Sequence, residues 1–148
     1  MHSTADPPGL PRRLCGTATR SGIVLGPDLH HIREARRWAV RATRARANVS
    51  EAVGLAVSEL VTNALTHTAS GLPGGQVLVE LHRAARLELR VTDDGPRPGL
   101  PPTLPAVPEA NPLRPGGLGL RLLEGVCAYW DWTRAADRRV TVRAVFRR

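Results

Sequence analysis

The chain has 148 residues, about the length of one domain of roughly 100–200 residues, so a two-domain enzyme is not expected. All 21 basic residues are arginine, which excludes sites that need a lysine, such as a lysine-containing phosphate-binding loop or a Schiff-base centre. The net charge of +8 favours an anionic partner, such as a nucleotide, a nucleic acid or an acidic protein surface, whereas 3% aromatic residues are too few for a platform that stacks bases.

The amino-terminal part predicts a leader followed by a strand. Residues 1–12 are polar and contain three prolines, so they are expected to be disordered, and residues 13–148 are expected to form one domain. Leu14–Leu25 mixes Thr, Ile and Val and ends at Gly26, which indicates a strand followed by a turn. No apolar run is long enough for a secretory signal or a membrane span, which predicts a cytoplasmic protein without a membrane partner.

The next segment has the pattern of an arginine-rich helix. Asp28 is suited to cap a helix that is expected to run to about Ala47, because apolar residues recur there at helical spacing. Six arginines lie between Arg33 and Arg46, beside that apolar stripe. The usual interpretation of such a face is that water solvates it.

A second helix is expected to begin at Ser50, another capping residue. Its apolar residues follow at spacings of four, three and four, which predicts a core face made of Val53, Val57, Leu60 and Ala64. Glu59 and Asn63 are one helical turn apart on the neighbouring stripe. An amide oxygen is a suitable ligand for Mg²⁺, and a nearby carboxylate can accept a proton from an attacking hydroxyl or water. Such a pair also occurs on ordinary solvated helix faces.

Two alternating runs then predict an antiparallel hairpin that ends at an acidic turn. The runs are Val77–Leu81 and Leu87–Val91, joined by a short turn. Asp93, Asp94 and Gly95 follow. A carboxylate at the end of a strand can accept a hydrogen bond from an exocyclic amine, and a glycine beside it lets a flat base approach the backbone. The same three residues are also good turn formers.

A proline-rich segment separates this hairpin from the rest of the chain. Residues 96–116 hold eight of the thirteen prolines, which is typical of a functional lid rather than of a simple connection. Gly116–Gly119 then leads into a short helix over Leu120–Ala128, where exposed amides at the helix start can bind phosphate without a lysine. A second hairpin, Trp130–Thr133 with Val140–Phe146, ends the chain.

In this order the motifs resemble those of a known family. The segment ELVTNALTH at Glu59–His67, the DDG at Asp93–Gly95 and GGLGLRLL at Gly116–Leu123 resemble the nucleotide-binding boxes of the Bergerat-fold (GHKL) ATPases. The short chain and the form SELVTNALTH most resemble the anti-sigma regulatory factor and serine-protein kinase group. The resemblance covers roughly Arg20–Phe146.

This resemblance implies a fold, a reaction and several residue roles. The fold would be an α/β two-layer sandwich, a mixed, mostly antiparallel sheet with helices on one face. The function would be ATP- and Mg²⁺-dependent transfer of the γ-phosphate to Ser or Thr of an antagonist protein, in a regulator of a sigma factor. Glu59 would be the general base, Asn63 the Mg²⁺ ligand and Asp93 the partner of adenine.

The remaining implied roles concern glycines and one threonine. Gly95 would allow the close approach of the base, Gly117 and Gly119 would line the phosphates, and Thr141 would lie near adenine. The sequence departs from the family at Arg97, where the first glycine box usually has its second glycine.

Because of that departure, two alternatives to a kinase remain open. One is a catalytically inactive, ATP-gated switch that binds another protein. The other is an arginine-driven binder of nucleic acid, which is disfavoured because the arginines are scattered over helix, hairpin and tail. A homodimer is compatible with the resemblance.

Overall fold

The computed structural model describes residues 9–101 and 123–147. These residues form six strands, two long helices and one short 3₁₀ helix, and residues 123–126 are also helical. In chain order they are β1 (Arg12–Arg13), β2 (Arg20–Leu25), α1 (His30–Ala42), α2 (Ala47–His67), the 3₁₀ helix Ala69–Gly71, β3 (Val77–Arg83), β4 (Leu87–Asp93), β5 (Tyr129–Arg134) and β6 (Val140–Phe146).

The strands form one sheet in the order β1-β2-β3-β4-β6-β5, with α1 and α2 packed on the same face. This confirms the predicted α/β sandwich. Every neighbouring pair among the described strands is antiparallel, so the sheet is more regular than the mixed one expected. Alternate residues of β3 and β4 are buried under the helices and the others lie on the outer face of the sheet, away from the helices.

The first predicted strand and the predicted leader both differ from the structure at their edges. β2 begins at Arg20 rather than at Leu14, because residues before it form a turn in which the Thr17 hydroxyl accepts hydrogen bonds from the amides of Thr19 and Arg20. Arg12, the last residue of the predicted leader, already pairs with Val24 in β2. Residues 1–8 lie outside the described residues, as do residues 102–116 of the predicted lid.

The first helix is shorter than predicted. It begins at His30 with Leu29 in the capping position, one residue after the predicted cap Asp28, whose carboxylate accepts a hydrogen bond of 2.8 Å from the amide of His30. It ends at Ala42 instead of about Ala47, because Arg44 adopts a left-handed backbone conformation with φ of 50°.

The second helix begins three residues earlier than Ser50, at Ala47. The Ser50 hydroxyl does not cap it but donates to the carbonyl of Ala45, at 3.3 Å. The predicted core face is confirmed, with side chains that are 0–5% exposed, namely Val53, Val57, Leu60 and Ala64. No helix in the described ranges has both the length and the apolar character needed to cross a membrane.

A glycine lets the two helices approach closely. A Cβ added to Gly54 would lie 2.8 Å from a methyl group of Val40 on α1. On its other side α2, which carries Glu59 and Asn63, packs over β3, β4 and β6.

Candidate functional site

The polar stripe of α2 has the predicted form. Glu59 and Asn63 are both half-buried, while Leu60 and Ala64 beside them face the core. No described residue hydrogen-bonds to either polar side chain, so both are free, among these residues, to contact a ligand.

Asp93 is the last residue of β4 and lies on the side of the sheet that the helices cover. It continues the inward series of Leu87, Leu89 and Val91, which are 0–3% exposed. Its carboxylate accepts a hydrogen bond of 2.6 Å from the amide of Gly95. Burial raises the pKa of Asp93, and the negative charge of Asp94 adds to this, whereas hydrogen bonds from the amides of Gly95 and Val140 act in the opposite direction.

Gly95 is required by the fold itself. Its φ is +84°, and an added Cβ would lie 2.5 Å from the carbonyl oxygen of Arg138 in the β5–β6 turn. The sequence indicated a close approach at this glycine, and the group that approaches it in the structure is protein backbone.

Four hydrogen bonds connect the 3₁₀ helix that follows α2, Gln76 before β3 and the loop after β4, and we call this set the α2–β4 clamp. The Ser70 hydroxyl, which is fully buried, donates to the carbonyl of Gln76 and accepts from the amide of Asp94, at 2.7 and 2.8 Å. The Gln76 amide donates to the Asp94 carboxylate at 2.8 Å, and the Ala69 amide donates to the Gly95 carbonyl at 2.9 Å. The clamp therefore holds the end of α2 and the turn beside Asp93 in one unit.

Sequence reasoning missed the roles of Ser70 and Asp94 in this clamp. Ser70 follows the second helix in a segment with no periodic pattern, and Asp94 is predicted only as part of a turn. The one available signal is that two carboxylates, those of Asp93 and Asp94, follow the strand, although contact with adenine requires only one of them.

Arg97 reinforces the same connection. Its guanidinium donates to three carbonyls at the end of α2, those of Leu65, Thr66 and Thr68, at 3.3, 3.0 and 3.1 Å. The carbonyls of Leu65 and Thr66 have no other partner among the described residues, whereas that of Thr68 also accepts from the amide of Gly71 at 3.3 Å. A cation at a helix C-terminus is favourable. The residue that departs from the family pattern is thus a cap for the helix that carries Glu59 and Asn63.

Thr141 does not join the other predicted residues. In β6, Val140, Val142 and Ala144 are buried, so Thr141 between them points to the outer face of the sheet. There its hydroxyl hydrogen-bonds to that of Thr92, at 2.8 Å. Asp93 lies on the opposite face, so the structure does not bring these two side chains together.

Gly117 and Gly119 lie outside the described residues. After them, residues 123–126 are helical, in part of the segment where a short helix was predicted. Leu123 is 1% exposed and packs into the same core as α2 and the sheet.

Comparison with known proteins gives one family. A family model described as histidine kinase-like ATPase domain matches residues 25–146, which is most of the chain and includes every element from the end of β2 to β6. No curated protein matches the sequence.

Proposed function

Because the chain belongs to the histidine kinase-like ATPase domain family, we propose that it is an ATP- and Mg²⁺-dependent regulator similar to the anti-sigma factor serine/threonine kinases. The family accounts for ATP as the ligand. The short chain and the segment SELVTNALTH from Ser58 support the finer assignment. A sigma factor and an antagonist protein are the partners that this assignment implies.

The α2–β4 clamp is the observation that carries the proposal. It fixes the Asp93 turn relative to the helix that bears Glu59 and Asn63. A nucleotide needs this fixed distance, because its base would bind at Asp93 and its phosphates at Asn63. At one end the Asp93 carboxylate is half-buried, and its recorded partners are backbone amides. A carboxylate of this kind suits the exocyclic amine of adenine, which can only donate.

At the other end, Asn63 and Glu59 fit a site for Mg²⁺ and phosphate. The amide oxygen of Asn63 is a hard ligand, and Mg²⁺ typically takes one or two protein oxygens together with water and phosphate. When bound, the ion supplies charge neutralisation at the phosphates. Glu59 would accept the proton of the serine or threonine hydroxyl as that oxygen takes the γ-phosphoryl group and ADP leaves. Gly117 and Gly119 would contribute backbone amides to the phosphates.

One feature favours the alternative of a switch that binds ATP without turnover. Arg97 ties the loop after Asp93 to the end of α2 with three hydrogen bonds, where the family usually has a second glycine. A loop restrained in this way changes shape less readily when the nucleotide binds or the reaction proceeds.

Titration calorimetry of the full chain with ATP, with and without Mg²⁺, tests the binding step. We expect Asp93→Asn to weaken binding, and Asn63→Ala to remove the dependence of affinity on Mg²⁺. Glu59→Gln should keep ATP binding but abolish the release of ADP, which a coupled assay measures. A wild-type protein that binds ATP yet releases no ADP, alone or with an antagonist, would favour the switch. A wild-type protein that does not bind ATP at all contradicts the proposal.

A further inference from the structure

The exposed face of α1 carries a group of arginines that the nucleotide site does not use. Residues three and four positions apart share one side of a helix. Four exposed arginines of α1 have this spacing, namely Arg33, Arg36, Arg37 and Arg41, and the exposed Arg44 follows the last turn of the helix. Positive charge therefore extends along one side of the first helix and continues to Arg44.

These arginines differ from those of the outer sheet face in having no acidic partner among the described residues. On the outer face, Arg143 binds the Asp131 carboxylate through two nitrogens, at 3.0 and 2.6 Å, and Arg90 pairs with Glu88 at 3.1 Å. None of the ion pairs within residues 9–101 and 123–147 involves an arginine of α1. This side of α1 therefore carries several positive charges that no acidic side chain of the described residues neutralises.

Next to this face is a cleft between α1 and the β1–β2 edge of the sheet. It consists of two adjoining hollows of about 220 Å³ each, which share Arg13, Trp38 and Arg41. Arg44 lines one hollow and Arg37 the other. Trp38 also lines both hollows, with Ala42 in one and Ile23 in the other, so the cleft combines guanidinium groups with apolar side chains.

We propose that this cleft binds an acidic, amphipathic segment of a partner protein. Arg37 and Arg41 are one helical turn apart, and each guanidinium can bind a carboxylate through two parallel hydrogen bonds. An apolar side chain between the two acids of the segment would pack against Trp38. This proposal rests on the proposed function for the idea that the chain has a protein partner, and it states the chemistry of that partner. It does not require that the chain binds ATP.

A nucleic acid duplex fits this cleft less well. Its binding needs a continuous series of phosphate contacts, with little use for an apolar wall. The cleft consists of two small hollows, and the carboxylate of Glu34 lines one of them, where a polyanion with evenly spaced phosphates would be repelled. A peptide can place its acidic side chains at the arginines and a neutral side chain beside Glu34.

Fluorescence anisotropy with the full chain tests this proposal. The probe is a labelled short peptide of alternating glutamate and leucine, compared with its glutamine counterpart and with a duplex DNA. The cleft variant is Arg37→Glu with Arg41→Glu, and the matched control is Arg86→Glu with Arg134→Glu, which are exposed and outside the cleft. Each variant lowers the net charge from +8 by two for each of two substitutions, to +4.

We expect the cleft variant to weaken binding of the acidic peptide at least about tenfold, because it loses at least one pair of charge-assisted hydrogen bonds. The control variant should weaken this binding less than about twofold. Arg37→Gln with Arg41→Gln should give an intermediate loss, and circular dichroism verifies that each variant is folded. Equal losses in the cleft variant and the control, no binding of the acidic peptide, or tighter binding of the duplex at physiological salt would each overturn the proposal. Titration of the same variants with ATP is a separate measurement. If the chain does not bind ATP, the proposed function fails, but the peptide experiment still decides whether the cleft binds an acidic segment.

Discussion

Removing the Arg97 side chain should loosen the junction between α2 and the loop after β4. Two of the three carbonyls that it caps, those of Leu65 and Thr68, are bonded in half-buried surroundings, while the bond to Thr66 is exposed. Hydrogen bonds to charged groups contribute about 1.5–3 kcal/mol each, but water replaces the exposed one after substitution. We therefore expect Arg97→Ala to lower the free energy of unfolding by about 2 kcal/mol in total, well below the sum of three bonds.

The conservative variant separates the charge from the geometry. In Arg97→Lys an ammonium group still interacts with the C-terminal end of α2, a contribution of about 0.3–1 kcal/mol, but it lacks the planar fork that reaches several carbonyls. Its loss of stability should therefore be roughly half of that in Arg97→Ala. For a domain of this size, a loss of about 2 kcal/mol lowers the melting temperature by about 4–8 °C.

Urea unfolding followed by circular dichroism measures these differences, and Arg86→Ala is the control, since Arg86 is exposed in the β3–β4 turn. Hydrogen exchange adds a local readout. The amides of Ala69 and Asp94 donate within the α2–β4 clamp, so their exchange should become faster in Arg97→Ala than in the control. If Arg97→Ala and the control unfold at the same urea concentration, the arginine does not stabilise this junction and the reasoning fails.

Three further substitutions test the site. Burial raises the pKa of Asp93 in the folded protein, so its contribution to stability is greatest below the ordinary value of 3.8 and is lost as pH rises through the raised pKa. Asp93→Asn should therefore raise the unfolding midpoint at neutral pH, with no gain in acid, while weakening ATP binding in calorimetry; a lower midpoint at pH 7 would contradict this. Gly95→Ala should lower the free energy of unfolding by more than about 2 kcal/mol in urea, because left-handed strain adds to the contact with Arg138; a neutral result would show that the turn yields. Thr141→Val should lose about 1 kcal/mol from its bond to Thr92 and keep its affinity for ATP, and a loss of affinity would restore the adenine role.

Alternation and helical periodicity predicted much of the fold, because both patterns report directly which side of an element is buried. They could not predict the end of α1, since the left-handed conformation of Arg44 has no signature in an arginine. The capping role of Arg97 was equally hidden, because its acceptors are 29 to 32 residues away in the sequence.

Thr141 is a different case, because the sequence did contain the relevant signal. Val140, Val142 and Ala144 alternate with it, and this pattern already places the threonine on the outer face. The structure places Thr141 on that face, whereas the resemblance implied a place near adenine. Strand parity is thus a useful check on any residue role that is transferred by resemblance.

The pairing of β4 with β6 has a consequence for how the polypeptide tolerates a break. Seven residue pairs, from Leu87 with Phe146 to Asp93 with Val140, join the two parts of the chain on either side of residues 96–116. The cost of closing a loop grows only slowly with its length, so insertions between these strands should change stability little. We expect that a chain cut in this interval yields two fragments able to reassemble by fragment complementation, which would make the protein a starting point for a split reporter.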